Sequence, residues 1–279
     1  MAISTHNAHI YRPDYTNFSL SAGGEYLALV SPGGEIVHQY APEYPSQRTD
    51  YSYGLGQAVS ALREGRAAGS FFAARITRIT TMNILVAGAT GKTGIRVTEQ
   101  LREQGHTPIA LVRDSSDTSA LASDVVLRKG DLTNLTADAC EGCDAVIFAA
   151  GSGGSTGPEM TDKVDRDGAK DLVDIAAKAG ISRFVMLSSV GADNPDPDSE
   201  LAHYLQAKHE ADVHLQNSGL EYAILRPVAL TDDVGNRNMI FGDSVDVKAK
   251  AARGDVAAAL VDAVTDPEWK NRALLMQSA

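Results

Sequence analysis

Residues 82–94, MNILVAGATGKTG, carry an apolar run straight into glycines at every third position, Gly88, Gly91 and Gly94. Such a run, followed by the helix-compatible stretch 94–104, reads as a strand, a tight turn and a helix start. Each glycine then has a separate task. The first turns the chain, the second lets backbone approach an anion, and the third lets the helix pack closely on the strand. Backbone N–H groups of the helix start face that anion. A Walker loop is excluded, because its Lys and Ser/Thr follow the final glycine, whereas Lys92 and Thr93 precede Gly94. The segment therefore predicts a dinucleotide cradle, in which Thr90, Lys92 and Thr93 count as cofactor-binding residues alongside Gly88, Gly91 and Gly94.

The same alternation continues downstream. Apolar β-like runs fall at 84–87, 108–112, 125–127, 145–149, 184–187, 222–225 and 273–276, and helical patterns at 94–104, 164–179, 201–217 and 256–264. Strands alternating with helices of that length predict βαβ units: an α/β domain over 82–279 with a Rossmann-type doubly wound parallel sheet and helices on both faces. The end of the second strand, IALVRDSSD, then bears on the choice of dinucleotide. An acidic residue there takes a ribose 2′-hydroxyl, and a positive charge accommodates a 2′-phosphate. Arg113 holds the place, with Asp114 directly after it and Ser115 and Ser116 as further hydrogen-bonding groups, so NADP(H) is expected over NAD(H). Asp131 in the segment GDL is placed to meet the adenine with Leu132 beside it, and Ala149, Ala150 and Gly151 end the fourth strand next to the cofactor.

Residues 1–81 differ in kind. They hold seven of the nine tyrosines and no lysine, and their six basic and six acidic residues leave the whole charge of -11 to the part that follows. Short apolar runs split by Gly-Gly and Pro-Gly-Gly form a β-hairpin pattern of two or three strands, too few to stand alone. The stretch 17–56 resembles part of a lamin-tail-type β-sandwich module, and 57–81 suits a short helix. The expected organisation is thus a small β-rich extension, 1–81, ahead of the nucleotide-binding domain, 82–279. The acidic balance argues against a nucleic-acid partner. Without a run of about 18 apolar residues or a signal-peptide start, neither a membrane partner nor a location outside the cytoplasm is expected. Cys140 and Cys143, spaced C-x-x-C, lead into an apolar strand and read as small packing residues rather than a redox pair.

From residue 82 onward the motifs GATGKTG, ALVRD, GDL, GCDAVIFAAGSGGS, RFVMLSS, YLQAK, LRPVAL and RGDVA occur in the order seen in the atypical short-chain dehydrogenase/reductase group. The chain resembles its NmrA-like, biliverdin-reductase-B-like and bacterial sugar-epimerase-like members. In ELAHYLQAKHEAD, Tyr204 and Lys208 lie four residues apart, on one helix face. The resemblance implies that Tyr204 protonates a carbonyl oxygen as hydride arrives, that Lys208 assists it and binds the nicotinamide ribose, and that Ser189, with Ser188 as the alternative, orients the substrate oxygen. Lowering a tyrosine by about 3 units takes roughly 4 kcal/mol, part of which an adjacent ammonium supplies. His203 and His209 point to neighbouring faces and read as solvated or packing groups, and no grouping has metal-ligand spacing. Asp255 in RGD reads as a helix N-cap. The stretch 229–254 reads as a loop or lid, and GSGGSTG at 151–157 as a mobile rim over the nicotinamide. These features predict an NADPH-dependent oxidoreductase for a small carbonyl, quinone or flavin-like substrate, with a homodimer as the candidate assembly. A dinucleotide sensor without turnover and an NAD(P)-dependent epimerase are the other readings.

Overall fold

A computed structural model describes residues 81–153 and 156–279, together with four strands within residues 2–40. The chain divides into two compact units, Met1–Arg75 and Ile76–Ala279. The first holds β1 (Ala2–Thr5), β2 (Ala8–Ile10), β3 (Leu27–Val30) and β4 (Ile36–Tyr40), all antiparallel in the order β2-β1-β3-β4. β3 and β4 flank the Pro-Gly-Gly connection as a hairpin, as its pattern predicts, whereas β1 and β2 precede the tyrosine-rich stretch in which strands were expected. The remainder of the lamin-tail-like segment and the helix expected over 57–81 lie outside the described residues.

The second unit is the predicted parallel sheet. Its strands are β5 (Asn83–Ala87), β6 (Thr107–Val112), β7 (Val126–Lys129), β8 (Ala145–Phe148), β9 (Arg183–Leu187), β10 (Tyr222–Pro227), β12 (Met239–Phe241) and β14 (Arg272–Ser278). They lie in the order β12-β14-β10-β9-β8-β5-β6-β7, parallel except for the antiparallel edge strand β12. The strand order reverses between β5 and β8, so a crevice opens at their carboxyl ends, the usual ligand position in such sheets. Residues of β5 alternate between two cores: Ile84 and Val86 join one, Leu85 and Ala87 the other. Helices α1 (Lys92–Glu103) and α5 (Arg253–Thr265) cover the first face through Val97, Leu101, Val256 and Leu260. Helices α3 (Gly168–Lys178) and α4 (Ala202–Gln216) cover the second through Leu172, Val173, Ala211 and Leu215. Burial on both faces explains why these strands read as continuous apolar runs.

Three expectations are corrected. The stretch 229–254, read as a loop or lid, forms β11 (Ala229–Thr231) and β13 (Lys250–Ala252), paired in parallel, and contributes β12 to the main sheet. Asp255 is not the N-cap of α5. The helix begins at Arg253, and the buried Asp255 carboxylate accepts the N–H groups of Asn236 and Arg237 and the hydroxyl of Ser278. The helix expected over 164–179 starts earlier, with α2 (Pro158–Thr161), and is interrupted by a π-helical turn, Asp162–Asp167, before α3. Cys140 and Cys143 pack under β8 as expected. Burial pushes the Cys140 thiol up to about 12 and raises that of Cys143, which accepts a hydrogen bond from Arg128. No helix among the described residues is long and apolar enough to cross a membrane.

Beneath the second face, Asp212 on α4 is fully buried and accepts from Arg226 Nε at 3.0 Å and Ser188 Oγ at 2.9 Å. Burial pushes the Asp212 carboxyl above the usual carboxylate range, with Arg226 the largest opposing influence. Removing the guanidinium would leave a buried charge uncompensated. Arg226→Met is therefore expected to destabilise the fold by about 3 kcal/mol, read from urea unfolding; a loss below about 0.5 kcal/mol would show that the pair behaves as an exposed one.

Candidate functional site

Of the three loop glycines, each is held to glycine for a different reason. Gly88 adopts φ +81°, and a Cβ there would meet the Ala150 backbone at 2.6 Å, so the turn after β5 lies directly on the end of β8. A Cβ on Gly94 would run into the carbonyl oxygen of Gly88. Gly94 therefore serves helix-on-strand packing and lines no part of the crevice, although the loop pattern groups it with the cofactor-binding residues. At Gly91 a Cβ would meet only the Gly88 carbonyl oxygen, at 3.2 Å. Gly91 is also the N-cap of α1, which has neither a side-chain cap nor an acidic residue in its first turn. The orphan N–H groups there suit a pyrophosphate. The cradle fits a dinucleotide.

The crevice has two halves that share Gly91, Ala149, Ala150, Gly151, Ser152 and Thr156. One, of about 680 Å³, is lined by Gly88, Thr90, Arg113, Ser116, Asp131 and Leu132. Here the Arg113 N–H donates to Ser116 Oγ, and its guanidinium makes no ion pair among the described residues. Asp114 turns instead toward Lys129, 3.3 Å away, and does not line the space. The N–H of Thr133 holds the Asp131 carboxyl below its ordinary value, with smaller contributions from the Thr133 hydroxyl and Arg113.

The other half, of about 620 Å³, is lined by Lys92, Thr93, Leu187, Ser188, Tyr204 and Lys208, among others. Lys208 is 3% exposed, and its Nζ lies 2.9 Å from Asp165 Oδ1. It also donates to the carbonyl oxygens of Ala150 and Leu187, both at 3.4 Å, and sits 5.8 Å from the centre of the Tyr204 ring. Burial pulls the Lys208 pKa down, but attraction to Tyr204 in its ionised form, to the hydrogen-bonded Asp165 carboxylate and to Asp212 outweighs it and leaves it above the ordinary lysine value. The ammonium is thus retained in a dry place beside the phenol. Asp165, fully buried in the π turn, also accepts the Ser152 N–H through Oδ2 at 2.9 Å. It thereby connects the rim residue Ser152 to Lys208; Gly154 and Ser155 of the expected rim lie outside the described residues.

Ser189 is not among the residues lining either half; the alternative, Ser188, is. Yet Ser188 is buried and its hydroxyl already donates a hydrogen bond to Asp212, which occupies it as a donor. His203, read as a solvated or packing residue, lines the Tyr204 half, with Nε2 3.0 Å from Asp162 Oδ1. His209 packs as read, with Nδ1 2.7 Å from the Ala192 carbonyl oxygen. Asp165 and Arg253 line the same half and escaped the reading of the sequence. A signal for Asp165 was present: Thr161, Asp165, Gly168 and Leu172 share one helical stripe, and the carboxylate interrupts its buried face.

A family model described as NAD(P)H-binding matches residues 88–267. Over 198 residues the chain is 36% identical to an uncharacterized sugar epimerase, YhfK, of Bacillus subtilis, covering 69% of this chain and 92% of that protein. The solved structure of an oxidoreductase, YlbE, from Lactococcus lactis matches with a TM-score of 0.63 at 28% identity, covering 71% and 91% of the two chains. That of the anaerobilin reductase ChuY from Escherichia coli matches with a TM-score of 0.59 at 28% identity, covering 70% and 97%.

The glycine geometry separates two substitutions. Gly94→Ala is expected to lower the melting temperature by several degrees, because helix and strand must part. Gly91→Ala should melt close to the parent protein and bind NADPH about tenfold more weakly, since its Cβ intrudes where a phosphate approaches; equal affinity would remove the anion from that loop.

Proposed function

The chain belongs to the NAD(P)H-binding family, and from that premise we propose that it is an NADPH-dependent oxidoreductase for a small carbonyl, quinone or flavin-like compound. One observation carries this reading: Tyr204, backed by the buried Lys208–Asp165 pair, lines the same crevice as the uncapped start of α1. A proton donor and an anion cradle thus share one space. When bound, the reduced nicotinamide supplies the hydride. Tyr204 then gives its hydroxyl proton to the oxygen on which charge develops, and the Lys208 ammonium, held by Asp165, offsets the negative charge left on the phenol. Arg113, free of Asp114 and lining the opposite half, supports a 2′-phosphate on the ribose and hence NADPH over NADH. Ser189 is assigned no step.

The names of the two related oxidoreductases, one of them an anaerobilin reductase, favour net reduction. The name of the Bacillus subtilis relative favours a second reading, an epimerase that retains and regenerates NAD(P). NADPH-oxidation assays over quinones, flavins, aldehydes and ketones separate the two, because an epimerase consumes no net NADPH. The proposed partner is a small molecule, with neither nucleic acid nor membrane involved.

Tyr204→Phe is expected to lower kcat by about a hundredfold or more while NADPH affinity stays within about twofold. Retention of full cellular effect by that variant would favour a sensor without turnover. Arg113→Ala should weaken NADPH binding by about tenfold and leave NADH nearly unchanged, as one charge-assisted contact to a phosphate is lost. Equal losses for the two dinucleotides would sink the NADPH assignment.

A further inference from the structure

Two side chains at the start of α4, Glu200 just ahead of the helix and His203 in its first turn, line the Tyr204 half of the crevice and take no step in the proposed reaction. The His203 ring is held by one nitrogen. Its Nε2 lies 3.0 Å from Asp162 Oδ1 and 3.3 Å from the Pro158 carbonyl oxygen. A carboxylate and a carbonyl both accept, so Nε2 is the donor, and in the neutral ring Nδ1 is left with the lone pair. Asp162 is itself fixed from behind. The same Oδ1 takes Arg166 Nη1 at 2.9 Å, and Arg166 Nε donates to Asp167 Oδ1 at 2.7 Å. The Asp162 and Arg166 side chains are less than a third exposed, whereas that of His203 is half exposed. The π turn thus sets the tautomer of a ring that stands at the edge of the crevice, and Nδ1 makes no hydrogen bond among the described residues.

Glu200 adds a second acceptor. The cations that line this half are drawn to other carboxylates, Lys208 to Asp165, and Lys92 and Arg253 to Asp232, and Glu200 forms no ion pair among the described residues. Donor and acceptor groups are thereby separated along the space. The Tyr204 hydroxyl is the donor beside the buried Lys208, and His203 and Glu200 offer lone pairs nearer the solvent. Leu187, Leu201 and Leu230 border the same space with apolar surface. A flat ligand that fits it therefore gains by carrying a carbonyl at one edge and a hydrogen-bond donor at another.

We propose that His203 Nδ1 accepts a hydrogen bond from the substrate, with Glu200 as the second acceptor at that rim, so that the site selects a conjugated carbonyl compound bearing a ring N–H, a cyclic amide, over a quinone or ketone without a donor. The proposal rests on the oxidoreductase reading and narrows it: Tyr204 meets the carbonyl oxygen and His203 the N–H. Asp162 is then a positioning residue, acting through the ring that it orients. A fully buried acceptor rejects a ligand lacking its donor by several orders of magnitude. At a half-exposed ring, water replaces part of the lost bond, and the discrimination falls to about tenfold.

Calorimetric titration of the full chain with isatin and with N-methylisatin, in the presence of NADP+ and at about pH 8, where an ordinary imidazole is neutral, tests this without turnover. The two compounds share a ketone and differ in the ring N–H. The parent protein is expected to bind isatin about tenfold more tightly, and His203→Phe to bring the two within about twofold by weakening isatin alone. An unchanged affinity of that variant for N-methylisatin shows that the crevice is intact. His203→Gln, whose amide oxygen still accepts, is expected to keep part of the preference. A preference that persists in His203→Phe traces to the bulk of the methyl group and overturns the proposal, as does a parent protein that shows no preference or binds neither compound. NADPH oxidation with isatin reports separately on the reaction: a His203-dependent preference without any oxidation leaves the acceptor site standing and removes the oxidoreductase reading.

Discussion

The arrangement of the crevice depends on one buried ion pair, Lys208 with Asp165, side chains that are 4% and 0% exposed. Taking both charges out of water costs several kcal/mol each, so the pair is no simple source of stability. What it contributes is position. Lys208 belongs to α4 and Asp165 to the π turn ahead of α3, and the remaining polar contacts of the pair are to the ends of β8 and β9 and to Ser152. Any shift of α4 along the sheet would break Lys208 contacts to three other segments at once. Tyr204, one helical turn before Lys208, inherits that placement. Asp165 lies within the π turn Asp162–Asp167, so the pair is made where the helix departs from α geometry.

Much of this fold was legible because its strands are buried on both faces. Continuous apolar runs at β5, β6, β8, β9 and β10 have little alternative in water, and glycines after β5 mark the turn. Legibility fell where residues answer to distant partners. Nothing near Asp255 in the chain announces that its carboxylate will meet Asn236, Arg237 and Ser278, so a local rule made it a cap. The strands β11, β12 and β13 have three residues each, and their Gly, Asn and Asp neighbours hid them, since pairing with β14 or with each other forms them rather than local preference.

The candidate site was legible in part for the same reason. Tyr204 and Lys208 are joined by helical spacing, a short-range property, and they fall together in the crevice. Ser188 and Ser189 are adjacent and chemically identical, and only strand alternation decides which enters the core. Ser188 does, following Phe184 and Met186 onto the face covered by α4, where its hydroxyl donates a hydrogen bond to Asp212. The Asp165 carboxylate and the Asp212 carboxylate each interrupt an apolar helical stripe. Such interruptions mark buried charges, which require partners: Lys208, which lines the crevice, for Asp165, and Arg226, which does not, for Asp212.

A protein with a formal charge of -11 that binds a polyanion must overcome its own field locally. At physiological ionic strength exposed charges are screened over about 8 Å, so distant carboxylates count for less than the groups lining the crevice. Arg113 stands at one half, Lys92 and Arg253 at the other, and the uncapped N-terminus of α1 lies where the halves meet. Three nearby carboxylates are paired, Asp114 with Lys129, Asp165 with Lys208, and Asp232 with Lys92 and Arg253, whereas Asp131, Asp171 and Glu200 line the crevice without an ion pair among the described residues. The first two pairings each offset one negative charge with one cation, and Asp232 is shared by two cations. Pairing of these three carboxylates lessens the repulsion that an incoming dinucleotide meets.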